Sequence, residues 1–255
     1  RQLPRRGRGG GARRQRGGVE RGAHLRQPFQ EPGRSQWQGK GKYKEPAAPN
    51  TTDLPELPEG WGWATYAQIG EVTTGFTPPT ADAENFGGDT PFFKPTDLDA
   101  GENVVVAREY LSKKGTAKGR LLPAGSVLVT CIGATIGKTG LARVNCATNQ
   151  QINAVTPHAM VVDSGFVYSW TVSPFGFKQI LDNASATTLP ILNKSKFESL
   201  AIPIPPIAEQ HRIVAEVDRR LSLLRETETQ VDANLQRADR LRQSILSRAF
   251  SGGGS

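Results

Sequence analysis

The sequence predicts an α+β protein: a mixed, mostly antiparallel β-sheet domain with flanking short helices, followed by one long coiled-coil-forming α-helix. Three observations carry this. Short apolar runs recur between residues 61 and 206, with Gly, Pro, Asn and Asp at their joints. Only two stretches in that region have helical spacing. From Ile207 to Phe250 there is no Gly or Pro, and apolar residues fall three and four apart.

Along the chain, residues 1–44 carry thirteen Arg and Lys against Glu20 and Glu31, are rich in glycine and show no hydrophobic period. A disordered tail is expected there. An Arg/Gly segment of this kind can bind RNA or single strands through charge and stacking. The missing initiator Met and the abrupt change near Lys44 favour a leader, or the start of a gene read out of frame. Residues 45–60 read as a Pro-rich linker. Strands are expected at "GEVTTGF", "TPFFKPTDL", "NVVVA", "GSVLVTCIG", "TGLARV", "QINAVTP" and "LAIPIP" within 61–206. Helices are expected over 165–183, broken by Pro174 and Gly176, and at "NKSKFESL".

The clearest element is the helix over 207–250. Val214, Val217, Leu221, Leu224, Val231, Leu235, Ala238, Ile245 and Ala249 occupy successive a and d positions, with only Glu228 and Arg242 breaking the series. Pro205-Pro206 suits its first turn, Glu209 suits the positive end of its dipole, and a flexible tail, 251–255, ends it. At 1.5 Å per residue such a rod is about 60 Å long. A seam so narrow and long calls for a partner helix, with packing on its own domain as the alternative.

Charge and motifs exclude several function classes. The whole chain is +8, of which residues 1–44 supply +11, leaving −3 for the rest. The basic balance is therefore a property of the tail and not of the folded part. Cys131 and Cys146 sit in strand-like runs, and no apolar stretch approaches a membrane span, so a reduced, cytoplasmic protein is expected. "CIGATIGKTG" ends like a phosphate-binding loop, but three residues instead of four separate Gly133 from Gly137, and a strand-like run follows where a helix is needed. Its glycines read instead as a tight turn presenting Thr135 and Lys138. The three histidines share no metal-ligand spacing, and no nucleophile elbow or nuclease carboxylate–lysine pair occurs. The residues suggest a binding module with no catalytic group.

Five stretches in order carry a resemblance: "LPEGWGWATYAQIGEVTTGFTP", "TPFFKPTDL", "LPAGSVLVTCIGATIGKTGLA", "ATNQQINAVTP" and "LAIPIPPIAEQHRIVAEVDRRL". Over about residues 45–250 the chain resembles the DNA-specificity subunit of type I restriction–modification systems. The resemblance implies that residues 61–206 form a target-recognition domain and 207–250 a spacer and dimerisation helix. A complete subunit of that family is two such units in tandem, their helices paired antiparallel; this chain holds one. It is then either a C-terminal fragment or a half-subunit that pairs with a second half-unit or with its own copy. The implied partners are double-stranded DNA, a methyltransferase (modification) subunit and a restriction/translocase subunit. No cofactor is expected on this chain; S-adenosylmethionine, ATP and Mg belong to the partner subunits.

On that reading one face of the domain contacts base edges and phosphates. Candidates are Lys94 and Thr96, Thr135 and Lys138, and Asn149, Gln150 and Gln151, since Asn and Gln suit adenine and Lys suits guanine or phosphate. The last three have an alternative role bracing the sheet. Lys113, Lys114, Lys118 and Arg120 form the dense basic patch outside the tail. "TAKGR" and "NASATT" are the alternative segments for base readers. Helix pairing is assigned to Val214, Val217, Leu221, Leu224, Val231, Leu235, Ala238 and Ile245.

Overall fold

The structure, a computed structural model, describes residues 45–185 and 188–251. The expected disordered segment 1–44 and the tail residues 252–255 lie outside these. In chain order the elements are β1 (Gly62–Thr65), α1 (Tyr66–Ile69), β2 (Gly70–Thr74), β3 (Phe86–Phe93), β4 (Glu109–Leu111), α2 (Lys113–Lys118), β5 (Val127–Thr130) and β6 (Thr139–Leu141). Then come β7 (Ala147–Thr148), β8 (Ile152–Pro157), α3 (Ser164–Val172), α4 (Pro174–Asn183), α5 (Lys194–Glu198), β9 (Ala201–Ile204) and α6 (Ile207–Ser251). Single 3₁₀ turns lie at Ala83–Asn85 and Asp97–Ala100.

The organising element is a four-stranded antiparallel sheet in the order β2-β8-β5-β6. Successive side chains on a strand point to opposite faces, and here both faces are covered. Val127, Val129 and Val155 join Leu141, Phe166, Val167, Ile180 and Phe197 in one core, under α3, α4 and α5. Leu128, Ile152 and Ala154 join Phe93, Leu98, Val104 and Leu122 in a second core on the opposite face. Val127, Leu128 and Val129 are all fully buried, each stabilising by about 1.5–3 kcal/mol. That double burial is why "VLVT" reads as an unbroken apolar run without polar alternation.

Two smaller sheets flank it. β1 pairs antiparallel with β9, closing the start of the domain onto its end. β3 pairs antiparallel with β4 and parallel with β7, the one parallel pairing among the described strands. The α+β class, mostly antiparallel with a long terminal helix, is therefore the observed architecture.

Local chemistry explains the helices. Asp163 caps α3 by accepting from the Phe166 N–H, and Ser173 caps α4 by accepting from the Gly176 N–H. Pro174 occupies the first turn of α4, so it opens a new helix. Gly176 does not break that helix. A Cβ there would lie 2.2 Å from the Trp170 carbonyl oxygen, so glycine lets α3 and α4 close on each other. "NVVVA" departs from its strand expectation: only Val104 forms a bridge, to Ala142, while Val106 is 73% exposed. The run lacks a neighbouring strand to complete a ladder. Tyr66 is buried with its hydroxyl 2.6 Å from Thr171 Oγ1, and burial raises its phenol well above the ordinary range.

Candidate nucleic-acid interface

Three connections emerge from one end of the main sheet. Thr74, at the end of β2, pairs with Asn153; Thr130, at the end of β5, pairs with Ile152; Thr139, at the start of β6, pairs with Val129. Residues 75–77, 131–138 and 149–151 therefore cluster. The Phe76 N–H donates to the Thr148 carbonyl at 2.8 Å, and Thr77 Oγ1 donates to Gln150 Oε1 at 2.5 Å. The Asn149 N–H donates to the Phe93 carbonyl at 3.2 Å, which brings Lys94 beside the same cluster.

The 131–138 connection is a hairpin loop between β5 and β6. The Thr130 N–H donates to the Lys138 carbonyl and the Gly137 N–H to the Thr130 carbonyl, both at 2.8 Å. Gly133 and Gly137 adopt φ values of +102° and +86°, a region costly for any other residue. Ile136 is tucked into the core while Thr135 stays exposed at the tip. A strand follows, so the loop has no helix N-terminus to offer a phosphate.

The candidate residues differ in availability. Asn149 is only 6% exposed; its side-chain amide donates to Gln151 Oε1 at 2.8 Å and its carbonyl accepts from the Gln151 N–H at 3.2 Å. Gln150 and Thr96 are exposed. Lys94 ion-pairs with Glu109 and lies 5.8 Å over the Phe92 ring. Lys138 reaches Asp99 at 2.6 Å. Arg120 donates to the Thr74 carbonyl at 3.1 Å, which places it at the same end of the sheet.

The remaining lysines stand apart, on α2 against the 3₁₀ turn at 83–85. Lys114 ion-pairs with Asp82 at 3.0 Å and Glu84 at 2.6 Å, and Lys118 with Asp82 at 3.1 Å. Hydrogen bonds from Lys114 and Lys118 hold the Asp82 carboxyl below the usual carboxylate range, and Glu84 with Asp82 raises Lys114. Lys113 is exposed, with no ion pair among the described residues. Sequence reasoning counted the lysines and missed these acids, whose signal was the "DAEN" turn some thirty residues upstream.

Sequence reasoning also missed Gln210, which is fully buried at the root of α6. Its Oε1 accepts from the Asp163 N–H at 2.9 Å, and its Nε2 donates to the carbonyls of Val161 at 3.2 Å and Pro205 at 2.9 Å. The seam of α6 divides beyond it. Val214 packs on the domain core, and Val217 and Leu221 line a groove with Tyr168 and Val172. Leu224, Val231, Leu235 and Ile245 are 51–66% exposed.

Residues 58–237, well over half of the chain, match the family described as the type I restriction modification DNA specificity domain. The chain belongs to this family. It is 30% identical over 166 residues to the type I restriction enzyme MjaIX specificity subunit of Methanocaldococcus jannaschii, covering 64% of this chain and 38% of that protein. It is 32% identical over 180 residues to the HindI specificity subunit of Haemophilus influenzae, covering 65% and 37%. The chain spans less than half the length of the curated relatives it matches. The fold is shared with the HsdS subunit from Thermoanaerobacter tengcongensis, at a TM-score of 0.57 and 22% identity over 79% of this chain and 47% of that one. It is shared equally with a chain from a structural study of type I R-M complex assembly, at 0.60 and 23% over 78% and 48%. For this specificity-domain chain, no helix among the described residues is long and apolar enough to cross a membrane. Nor do three or more His, Cys, Asp or Glu among them gather as a metal site.

Proposed function

We propose that this chain reads a double-stranded DNA sequence as the specificity subunit of a type I restriction–modification complex, directing adenine methylation or cleavage by partner subunits. The observation that carries this is membership of the specificity-domain family across both the β-rich domain and the first part of α6. The reading surface is the end of the main sheet, where Thr96, Thr135 and Gln150 are exposed and Lys94, Lys138 and Arg120 lie close by. Gln150 supplies an amide for a base edge, and the cations serve phosphate. Asn149 and Gln151 hold the loop that presents them.

This chain contributes recognition only. The methyltransferase subunit brings S-adenosylmethionine, and the restriction/translocase subunit brings ATP and Mg. Electrophoretic shifts of the chain together with its methyltransferase subunit, on specific and scrambled duplexes, test the reading. Preferential binding of the specific duplex, falling steeply with salt, is expected. Equal binding to both overturns sequence-specific recognition, and no binding at all favours a helix-mediated interaction protein without a DNA role.

A further inference from the structure

Among the described residues one carboxylate is buried, that of Asp97, with 3% of its side chain exposed. Burying a charge is costly unless hydrogen bonds and a counter-charge offset the lost water. Asp97 takes a backbone partner on each oxygen. Its Oδ2 accepts from the Lys94 N–H at 2.8 Å, and its Oδ1 accepts from the Arg108 N–H at 3.3 Å. One buried group therefore fixes the backbone under two cations, one just after β3 and one just before β4. Lys94 lies at the reading end through the bond between Asn149 and Phe93, so Arg108 is carried there with it. Arg108 stands one residue beyond the Phe92–Glu109 pair, and on the other side of β3 Phe93 pairs with Thr148, next to the 149–151 loop.

We propose that Arg108 is a further phosphate contact of the DNA-reading end, and that Asp97 is the positioning residue that holds Arg108 and Lys94 beside each other there. This rests on the proposed DNA reading and adds a cation and its support to that surface. Arg108 is available where the lysines are not. Its side chain is 74% exposed, and its ion pair among the described residues is a loose one, Nε to Asp97 Oδ1 at 3.8 Å. The carboxylates facing Lys94, Lys114, Lys118 and Lys138 all lie at 3.1 Å or less. A guanidinium presents its donors in a planar fork that matches phosphate oxygens. There is also room for a strand of DNA. Arg108 borders a shallow hollow of about 480 Å³ with Gly87, Gly88 and Tyr110. Gly87 has φ +80°, and a Cβ there would meet nothing within 4 Å, so a sugar–phosphate strand can approach the backbone closely.

Two roles for Asp97 lead to opposite signs. As a counter-ion only, it would restrain Arg108, and neutralising it would strengthen DNA binding. As a positioning residue it does the reverse. In Asp97→Asn one carboxylate oxygen becomes an NH₂ group, so whichever way the amide turns, one of the two backbone N–H groups faces a donor. Lys94 or Arg108 then loses its placement. A phosphate contact is lost even though a negative charge has been removed.

Anisotropy titrations of the full chain with its methyltransferase subunit, on specific and scrambled duplexes over a range of salt, test the inference. Arg108→Gln is expected to flatten the slope of log affinity against log salt by about 1 and to weaken both duplexes by the same factor, since phosphate carries no sequence. Asp97→Asn is expected to flatten the slope by about 1 as well. Arg212→Gln is the control. That arginine is 78% exposed, pairs loosely with Glu209 at 3.6 Å and lies at the root of α6, beyond the far end of β8, so its slope should not move. Residues 1–44 are common to every variant, so their charge cancels. Circular dichroism melts set an assay temperature at which all variants are folded. An unchanged slope for Arg108→Gln, or an equal change for Arg212→Gln, overturns the contact. A loss confined to the specific duplex makes Arg108 a base reader and overturns the phosphate assignment. Tighter binding by Asp97→Asn overturns its positioning role. Equal wild-type binding to both duplexes, with the slope still flattened by Arg108→Gln, sinks sequence recognition and leaves this contact standing, so the two fail separately.

Discussion

Replacing Gln210 by Leu removes the polar joint between the domain and α6 while keeping its volume. Three groups lose their partner at once: the Asp163 N–H and the carbonyls of Val161 and Pro205. Pro205 is buried and the other two residues are half-buried. A buried polar group left without its bond costs about 1–3 kcal/mol. Taking the low end for three groups with partial access to water gives a loss of about 3 kcal/mol. For a folded unit of this size each kcal/mol moves Tm by about 2–4 °C, so a fall of about 6–12 °C is expected. Gln210→Glu should do no better, because it keeps the acceptor for Asp163 but turns a second oxygen toward two carbonyls. Chemical denaturation followed by tryptophan fluorescence suits the measurement, since Trp61 Nε1 donates to Glu209 at 3.2 Å beside the joint. A loss below about 1 kcal/mol for both variants would refute the reasoning, because water would then be replacing all three bonds.

Four further outcomes are expected. Gly137→Ala forces a side chain into φ +86° and sets a Cβ 2.4 Å from Phe177 Cε2, so urea denaturation should show a loss of at least about 1–2 kcal/mol; an unchanged midpoint contradicts the packing. Asp82→Asn with Glu84→Gln frees Lys114 and Lys118, so on the DNA-binding reading the slope of log affinity against log salt should steepen by about 1–2, and Lys113→Ala should flatten it by about 1; unchanged slopes in anisotropy titrations place α2 away from the DNA. The same acid has a pH signature: because the folded Asp82 carboxyl lies below its ordinary value, its stabilisation is present above the ordinary carboxylate pKa of about 4 and is lost as pH falls through the lower folded value, so stability should be flat in this contribution between about pH 5 and 8 and Asp82→Asn should lessen the acid-side decline, leaving the share of Glu216. Finally, burial pushes both thiols up to about 12, so Cys131 and Cys146 should resist Ellman's reagent at pH 8 until denaturant is added; rapid native labelling would show that the cores open.

Much of the fold was legible because its strongest signals are local. The heptads of α6, the strand runs at β2, β5, β6, β8 and β9, and the Pro174 discontinuity each declare themselves within a few residues. What escaped depends on pairing across the chain. β4 and β7 are three and two residues long and exist through their ladders with β3. Of β3, "FGGDTPFF", the "TPFF" end was expected as a strand; its first half, with two glycines, was not, and the register with β4 slips between Phe86 and Thr90. Within the candidate site, "NQQ" could be seen as polar and loop-bound, but which amide faces in was set by long-range bonds to Phe93 and Thr77. A lysine shows its charge in the sequence and hides its counter-ion. Lys114 and Asp82 are thirty-two residues apart, and only the packing of α2 against the 3₁₀ turn joins them.

That hidden neutralisation bears on how the proposed DNA reading must work. Outside residues 1–44 the chain is −3, and Lys94, Lys114, Lys118 and Lys138 each face a carboxylate. Phosphate contact supplies most non-specific affinity for DNA, in proportion to the cations free to displace counter-ions. A domain whose lysines are already paired is poor at that step, and a duplex must compete with Glu109, Asp82 or Asp99 for each one. Exposed ion pairs are worth little, so the competition is not prohibitive. Its effect is instead to lower the gain per contact and leave discrimination to the uncharged groups at the end of the sheet. On the proposed reading such a surface binds weakly alone and selectively with help, the affinity coming from a partner subunit. Isolated domains should therefore show shallow salt dependence and little binding, while the assembled complex shows both steep dependence and specificity; tight non-specific binding by the domain alone would mean that the ion pairs give way readily and that the carboxylates do not restrain it.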